Sequence, residues 1–343
     1  MSFIYKPSTY LGSDALVVGT GCQYSTISSA LSNASAGNTI LVMPGTYTET
    51  LTIPANNLSI IAMGKPNSVI IQQANANVVD CSSYTGVQIR GCKIQVTAAT
   101  TAINTVQVST GSLTCRDCQL LMTSSEALVQ ASQPAVGACT GSGTLEIKFG
   151  KFTYAHTGAC GGTAIKSAFT VGTGGEVDLA YMHDGVVSNS GTALVSAASA
   201  DLSTTGVISM EQCKIDVTDP NATICAGLGY IGGTGSENEF LRNDLHVIAT
   251  ANTGYGIYAA DTASTSRSFF NHIHISDTGG ASYSFFVGAS ATVNSHFDDI
   301  IADDGHNGTG TFTAVNSPVD GQMEISGGIR SEDANTILEF LDD

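Results

Sequence analysis

Two stretches, Val87-Gln-Ile-Arg-Gly-Cys-Lys-Ile-Gln-Val96 and Ile208-Ser-Met-Glu-Gln-Cys-Lys-Ile-Asp-Val217, repeat one phrase: an alternating strand, a short break ending in cysteine, and a second alternating strand. Working outward, the small or polar residue ahead of the second strand aligns as Asn67, Cys92, Cys118, Gly150, Asp184, Cys213, Asn243, Asn271, Asp298 and Gly327, at gaps of 25 to 34 residues. Two positions on, Val69, Ile94, Leu120, Phe152, Val186, Ile215, Leu245, Ile273, Ile300 and Ile329 form an unbroken apolar column. The fourth positions, among them Ile71, Val96, Met122, Tyr154, Val217, Val247 and Ile275, are mostly apolar, with Ser188 and Ser331 as exceptions. Alternation with period two means strands with one face buried.

A repeat of this length marks a solenoid, and units made of short strands and Gly/Ser/Thr/Asn turns leave no room for a helix. The expected fold is all-β: a single-stranded, right-handed parallel β-helix of about ten coils, with like positions about 4.8 Å apart along a rod of roughly 50 Å. Its right-handedness is what the resemblance given below implies, consistent with the general preference of crossovers between parallel strands. The longer gaps are read as polar loops between coils, at 132–144 and 157–163, and insertions in solenoids collect on one face.

Composition narrows the partners. With 12 basic and 29 acidic residues the formal charge is −17, so a nucleic-acid backbone or an anionic membrane is repelled, and no local basic run offsets this. Neither nucleic acid nor membrane insertion is expected, since no stretch approaches the roughly 18 apolar residues of a membrane span. The opening Met1-Ser-Phe-Ile-Tyr-Lys-Pro-Ser-Thr-Tyr10 lacks the basic and apolar regions of a signal peptide. Nine cysteines cannot all pair. Cys92, Cys118 and Cys213, in the corner column, read as small buried hydrophobes. Cys115 and Cys118 form a CxxC with no second half at zinc spacing.

Four regions are expected. Residues 1–20 form an arm outside the repeat, with one apolar patch at Ala15–Val18. Residues 21–37 hold a short capping helix, because Ile27, Ala30 and Leu31 follow Ser25 or Thr26 at helical spacing and Gly37 stops the run. Residues 38–331 are the β-helix. Residues 332–343, with Ile337, Leu338, Phe340 and Leu341 among acidic residues, either cap the last coil or pack on another subunit.

The run Tyr24-Ser-Thr-Ile27, Ala36-Gly-Asn-Thr-Ile40, Pro44-Gly-Thr-Tyr-Thr-Glu49 and Leu58-Ser-Ile-Ile61 resembles the opening of pectin methylesterases. The same opening recurs in pectin-lyase-like right-handed β-helices, including phage tailspike and tail-fibre proteins. The resemblance covers about residues 24–73 and implies the fold. It does not carry catalysis. The Gly-Xaa-Xaa-Asp-Phe-Ile-Phe-Gly signature of pectin methylesterases is absent, Gly305-His306 is followed by Asn307 where polygalacturonases have Gly, and no Arg-Ile-Lys occurs.

Residues flanking the apolar column point outward. That places Asp244 and His246, then His272 and His274, then Asp299 on three successive coils, near Asp303, Asp304 and His306. Such a cluster suits a divalent metal, the one cofactor the sequence suggests, held by His246, His272, His274, Asp244 and Asp299. It equally suits a hydrolytic site in which Asp299, Asp244 and His272 are the candidate catalytic groups. A solvated outer face or a subunit interface gives the same pattern. Tyr255, Tyr258 and Tyr283, with Tyr181 and Tyr230, are read as lying in Gly-rich turns and are candidates for stacking on sugar rings, although the chain has no Trp.

The resemblance, the opening and the missing catalytic signatures lead to a first expectation. It is a structural or receptor-binding virion protein of a bacteriophage (tail fibre, tailspike or capsid-attached decoration), forming a homotrimer. The arm would bind other virion proteins, and host-surface carbohydrate would be the ligand. The alternative is a polysaccharide depolymerase or esterase of the pectin-lyase-like kind, acting on a neutral glycan.

Overall fold

Each coil is organised by a two-residue corner. Its first residue adopts the left-handed conformation, seen at Gly91 (φ 75), Asp117 (φ 54), Phe149 (φ 57), Tyr181 (φ 58), Gln212 (φ 51), Arg242 (φ 55) and Phe270 (φ 55). A single residue at positive φ reverses which way the chain heads and turns the next side chain inward. That next side chain is Cys92, Cys118, Gly150, Met182, Cys213, Asn243 or Asn271 in successive coils, and those of them that carry a side chain are 2% exposed or less.

In this computed structural model the described residues are 15–101, 103–125, 135–158, 165–190, 195–201, 205–219, 224–230, 237–249, 253–259, 265–277, 282–287, 292–296, 299–303 and 322–326. Their strands form three parallel sheets, the three faces of a parallel β-helix. The chain runs from the first face (for example Val87–Arg90) round the tight corner to the second (Lys93–Ala99), then to the third (Asn104–Val108), and back to the first (Ser112–Arg116). Among the described residues the faces hold 12, 10 and 9 strands respectively.

Alternation along each strand builds the interior. On the second face Ile71, Ile94, Leu120, Phe152, Ile215, Leu245 and Ile273 stand in one inner column, each 0% exposed, and the pairings Ile94↔Leu120, Leu120↔Phe152 and Ile215↔Leu245 confirm the register. On the first face Ile60, Ile89, Cys115, Ile147, Leu179, Met210 and Phe240 face them. Phe152 meets Phe169 of the third face edge-on at 4.8 Å.

The corners are tied by inward donors. Cys118 Sγ donates to the Ile89 carbonyl and Cys213 Sγ to the Leu179 carbonyl, both at 3.5 Å. At the same place Asn243 Nδ2 donates to Met210 O and Asn271 Nδ2 to Phe240 O, both at 3.0 Å. The acceptor is in each case the first-face strand of the preceding coil. The asparagines add a ladder: Asn271 Oδ1 accepts from Asn243 N at 2.8 Å, and Asn243 Oδ1 accepts from Cys213 N at 3.0 Å. The described cysteines are free thiols, so the buried reading of the corner cysteines holds with a donor role added.

Three boundaries differ from expectation. Ala15–Val18 is not part of an arm but the first strand of the first face, paired with Thr39–Val42. Its four apolar residues supply the edge that the next strand needs. In the earliest coil Ile71, not Val69, pairs with Ile94. An offset of two residues keeps the same face, so Val69 is buried all the same. In the coil after Gly150 the corner carries one extra residue. Met182 takes the inward place and Asp184 pairs with Lys151 on the strand. A slip of one residue exchanges faces. Gly185 and Val187 therefore point inward, and Val186 and Ser188 do not.

The loop read at 132–144 contains a strand, Ala135–Cys139, buried along its whole length. Small residues let it run flat against the core on both sides. The positions at Asp298, Gly327, Ile329 and Ser331, and the segments 1–14 and 332–343, lie outside the described residues.

The capping helix spans Ile27–Leu31, and Thr26 accepts from Ser29 N at 3.1 Å as its cap. Glu49 adds a second cap, its carboxylate accepting from Ile27 N at 2.9 Å and Ser28 N at 2.8 Å. Ile27 and Ala30 are fully buried over the first coils.

Gly185 has a further cause. A Cβ there would sit 2.6 Å from Phe152 Cζ and 3.0 Å from Ile215 Cγ1, so the glycine makes room for the ring. Gly185→Leu is expected to lower stability by about 1–3 kcal/mol through overpacking, and Phe152→Leu in the same chain is expected to restore part of it. Urea unfolding of the two single variants and the double variant checks the coupling.

Candidate functional site

On the outer side of the first face, alternation turns Thr144, Glu146 and Lys148 outward from one strand (Thr144–Lys148) and Glu176 and Asp178 from the next (Glu176–Ala180). Val177 and Leu179 lie buried between them, which locks the outward set in place. The register Thr114↔Glu146↔Asp178↔Ser209 makes one straight outer column over four coils, and Thr144↔Glu176 stands beside it.

The two carboxyl groups of the column have different partners. Lys148 Nζ lies 3.3 Å from Glu146 Oε2, and Thr114 Oγ1 donates to the same oxygen at 3.0 Å. Asp178 is half-buried, and its pKa is raised from 3.8 to about 6. Burial is the largest cause, followed by the Glu176 and Glu146 charges, with Lys148 and a hydrogen bond from Ser209 pulling the other way. Glu176 accepts from Thr144 Oγ1 at 3.3 Å. The register sets these two carboxyl groups on adjacent coils, whose strands are about 5 Å apart.

The histidine cluster on the second face is assembled as the sequence implies. Asp244 pairs with His272 and His272 with Asp299, while His246 pairs with His274 in the neighbouring column. Asp244 lies 3.8 Å from Lys214, and His246 Nδ1 lies 3.6 Å from Asp216 Oδ1. The His246 and His274 rings stack at 4.9 Å and 14°. Stacked rings present their nitrogens side by side rather than toward one ion, and zinc needs each nitrogen at about 2.0–2.1 Å. Among the described residues no three His, Cys, Asp or Glu side chains are grouped to hold a metal ion. The side chain of Asp299 lies outside the described set, as do residues 304 and 306.

Of the tyrosines, Tyr255 is on a third-face strand (Thr253–Ala259) and only 7% exposed. It is a core residue rather than a turn platform, because Gly254 and Gly256 lie within a strand. Tyr258 and Tyr283 are also on strands of that face, and their side chains lie outside the described set. Tyr181 is at a corner, stacked on Phe149 at 4.8 Å with the rings 2° apart.

Sequence reasoning missed the acid pair. Its signal was present as a period: Thr114, Glu146 and Asp178 are spaced by the local coil length, and Glu176 alternates with Asp178. The density of histidines drew attention to the later coils instead. A basic cluster was missed for a related reason. Arg90, Lys93, Arg116, Lys148 and Lys151 are scattered in sequence, yet the register brings them to one ridge over three coils.

No family model matches the chain, and no curated protein matches it. Among solved structures, a pectin methylesterase from carrot is similar at 13% identity with a TM-score of 0.41, covering 97% of this chain and 90% of that one. One from Aspergillus niger is similar at 13% identity with a TM-score of 0.42, covering 97% and 92%. The pectin methylesterase PemA from Erwinia chrysanthemi is similar at 15% identity with a TM-score of 0.34, covering 67% and 80%.

The acid pair makes a stability prediction. Because the folded chain holds the Asp178 proton up to about pH 6 while a free carboxyl releases it near 3.8, ionising Asp178 costs folding free energy as pH rises. The cost is absent below about pH 4 and complete above about pH 6. Asp178→Asn is therefore expected to stabilise the protein by about 1 kcal/mol at pH 8, a value discounted for partial exposure, and to leave it unchanged at pH 4. Denaturation midpoints at the two pH values read this directly.

Proposed function

We propose that the protein is a polysaccharide depolymerase of hydrolytic type, with Asp178 as general acid and Glu146 as nucleophile or base. The observation that carries this reading is the split between neighbouring carboxyl groups, one kept protonated to about pH 6 by burial and like charge, the other tied to Lys148. A carboxyl group that keeps its proton beside a second one with a cationic partner suits acid and base roles. The column runs straight along the rod, so an extended glycan lying on the first face would pass over both groups. Glu146 and Glu176 around Asp178, in a chain of formal charge −17, favour a neutral glycan.

Reducing-sugar release from a panel of neutral glycans tests the reading. Asp178→Asn and Glu146→Gln are each expected to lower kcat by about 10²-fold or more, and the wild-type rate is expected to fall as pH rises beyond about 6, where the acid loses its proton. Full activity in Asp178→Asn, or no release from any glycan, would overturn it.

A second reading is compatible with the same rod: a receptor-binding or structural virion protein, assembled as a homotrimer, with glycan on the host surface as ligand. The unbroken inner columns support it, since they make a stiff rod suited to display. Light scattering at micromolar concentration is expected to give three times the monomer mass, and a monomer would count against it.

A further inference from the structure

Cations are rare in this chain, 12 against 29 acidic residues, yet five of them gather on one ridge where the first face turns into the second. Arg90, Arg116 and Lys148 stack outward at the end of three successive first-face strands, and Lys93 and Lys151 flank Gln119 at the start of the second face. Arg90 and Arg116 share Asp117, at 3.1 and 4.0 Å. Lys148 meets Glu146 at 3.3 Å and Lys151 meets Asp184 at 2.9 Å. Five cations meet these three carboxylates and Asp178 beside Lys148, which leaves the ridge with a small excess of positive charge. The side chains of Arg90, Arg116 and Lys151 are 60%, 52% and 52% exposed.

The ridge also offers an apolar ledge. Phe149 and Tyr181 stack at the corner, and the Arg116 guanidinium lies 4.8 Å over the Phe149 ring. Both rings sit at positive φ, where bulky side chains are held outward at a cost in backbone strain. An occupant of this ridge should combine negative charge with apolar side chains on one short segment.

We infer that the segment 332–343 of a second copy of this chain docks on the ridge. It carries Glu332, Asp333, Glu339, Asp342 and Asp343 around Ile337, Leu338, Phe340 and Leu341, the complement in both charge and apolar character. Reach favours a second copy. Gln322–Ser326 lies six strand positions beyond the Lys148 strand on the first face, roughly 29 Å at the spacing of adjacent strands. A chain's own segment would use up about nine of the 17 residues after Ser326, fully extended along the face, to cover that distance at no more than about 3.3–3.6 Å per residue. A neighbouring copy meets no such demand. The inference does not depend on the acid pair.

Charge reversal tests it on the full-length chain. Sedimentation equilibrium in 50 mM salt should show association, weakened at least tenfold in dissociation constant at 0.5 M salt. Arg116→Glu with Lys151→Glu, and separately Glu339→Lys with Asp342→Lys and Asp343→Lys, should each abolish it while circular dichroism stays unchanged. Mixing the two variants should restore it, because each then finds an opposite charge on the other. A chain monomeric at both salts, association insensitive to either reversal, or a mixture that stays monomeric would overturn the inference.

Discussion

The fold draws on hydrogen bonds made inward at four of its tight corners. A residue at positive φ reverses the chain, and at Cys118, Cys213, Asn243 and Asn271 the side chain after it satisfies a carbonyl of the preceding coil. Cys118 and Cys213 do this with a thiol, Asn243 and Asn271 with an amide. A buried carbonyl without a partner would cost on the order of 1–3 kcal/mol. Since the same bond recurs along the rod, it fixes register as well as stability: each coil can sit on the last only where donor and acceptor meet. This is why cysteine and asparagine occupy one column despite their different chemistry.

Much of the fold was legible because a solenoid writes its geometry into its period. Ile94, Leu120, Ile215 and Leu245 could be placed in one interior from spacing alone. Where the reading slipped, a local event hid the period. One extra residue at Tyr181-Met182-His183 exchanged the faces of Val186 and Val187, and only the room needed by the Phe152 ring explains why Gly185 lies inside. Ala135–Cys139 was taken for a loop because Ala, Val, Gly and Cys carry too little bulk to announce a strand.

The site was less legible than the fold, for a physical reason. Outward positions are free to vary, so what matters there is which residues the register brings together and how far each is desolvated. The histidine columns were found because His246 and His274 stand out by type, and they do stack. Glu146 and Asp178 are ordinary acidic residues in an acidic chain. What separates them is that Lys148 and Thr114 contact one while burial and two neighbouring carboxyl groups hold a proton on the other. The same strands carry Arg116 and Lys148 beside the acid column, so one face of the rod holds both the chemistry and the positive ridge.

The protonation state of Asp178 is the centre of this account. Carbon NMR of the carboxyl groups in aspartate-labelled protein, with the Asp178 signal assigned by its loss in Asp178→Asn, measures that state without any substrate. The account predicts a titration midpoint near 6. A midpoint at or below 3.8, the value of an ordinary aspartate, would mean that Asp178 is a plain surface anion and would contradict the acid role.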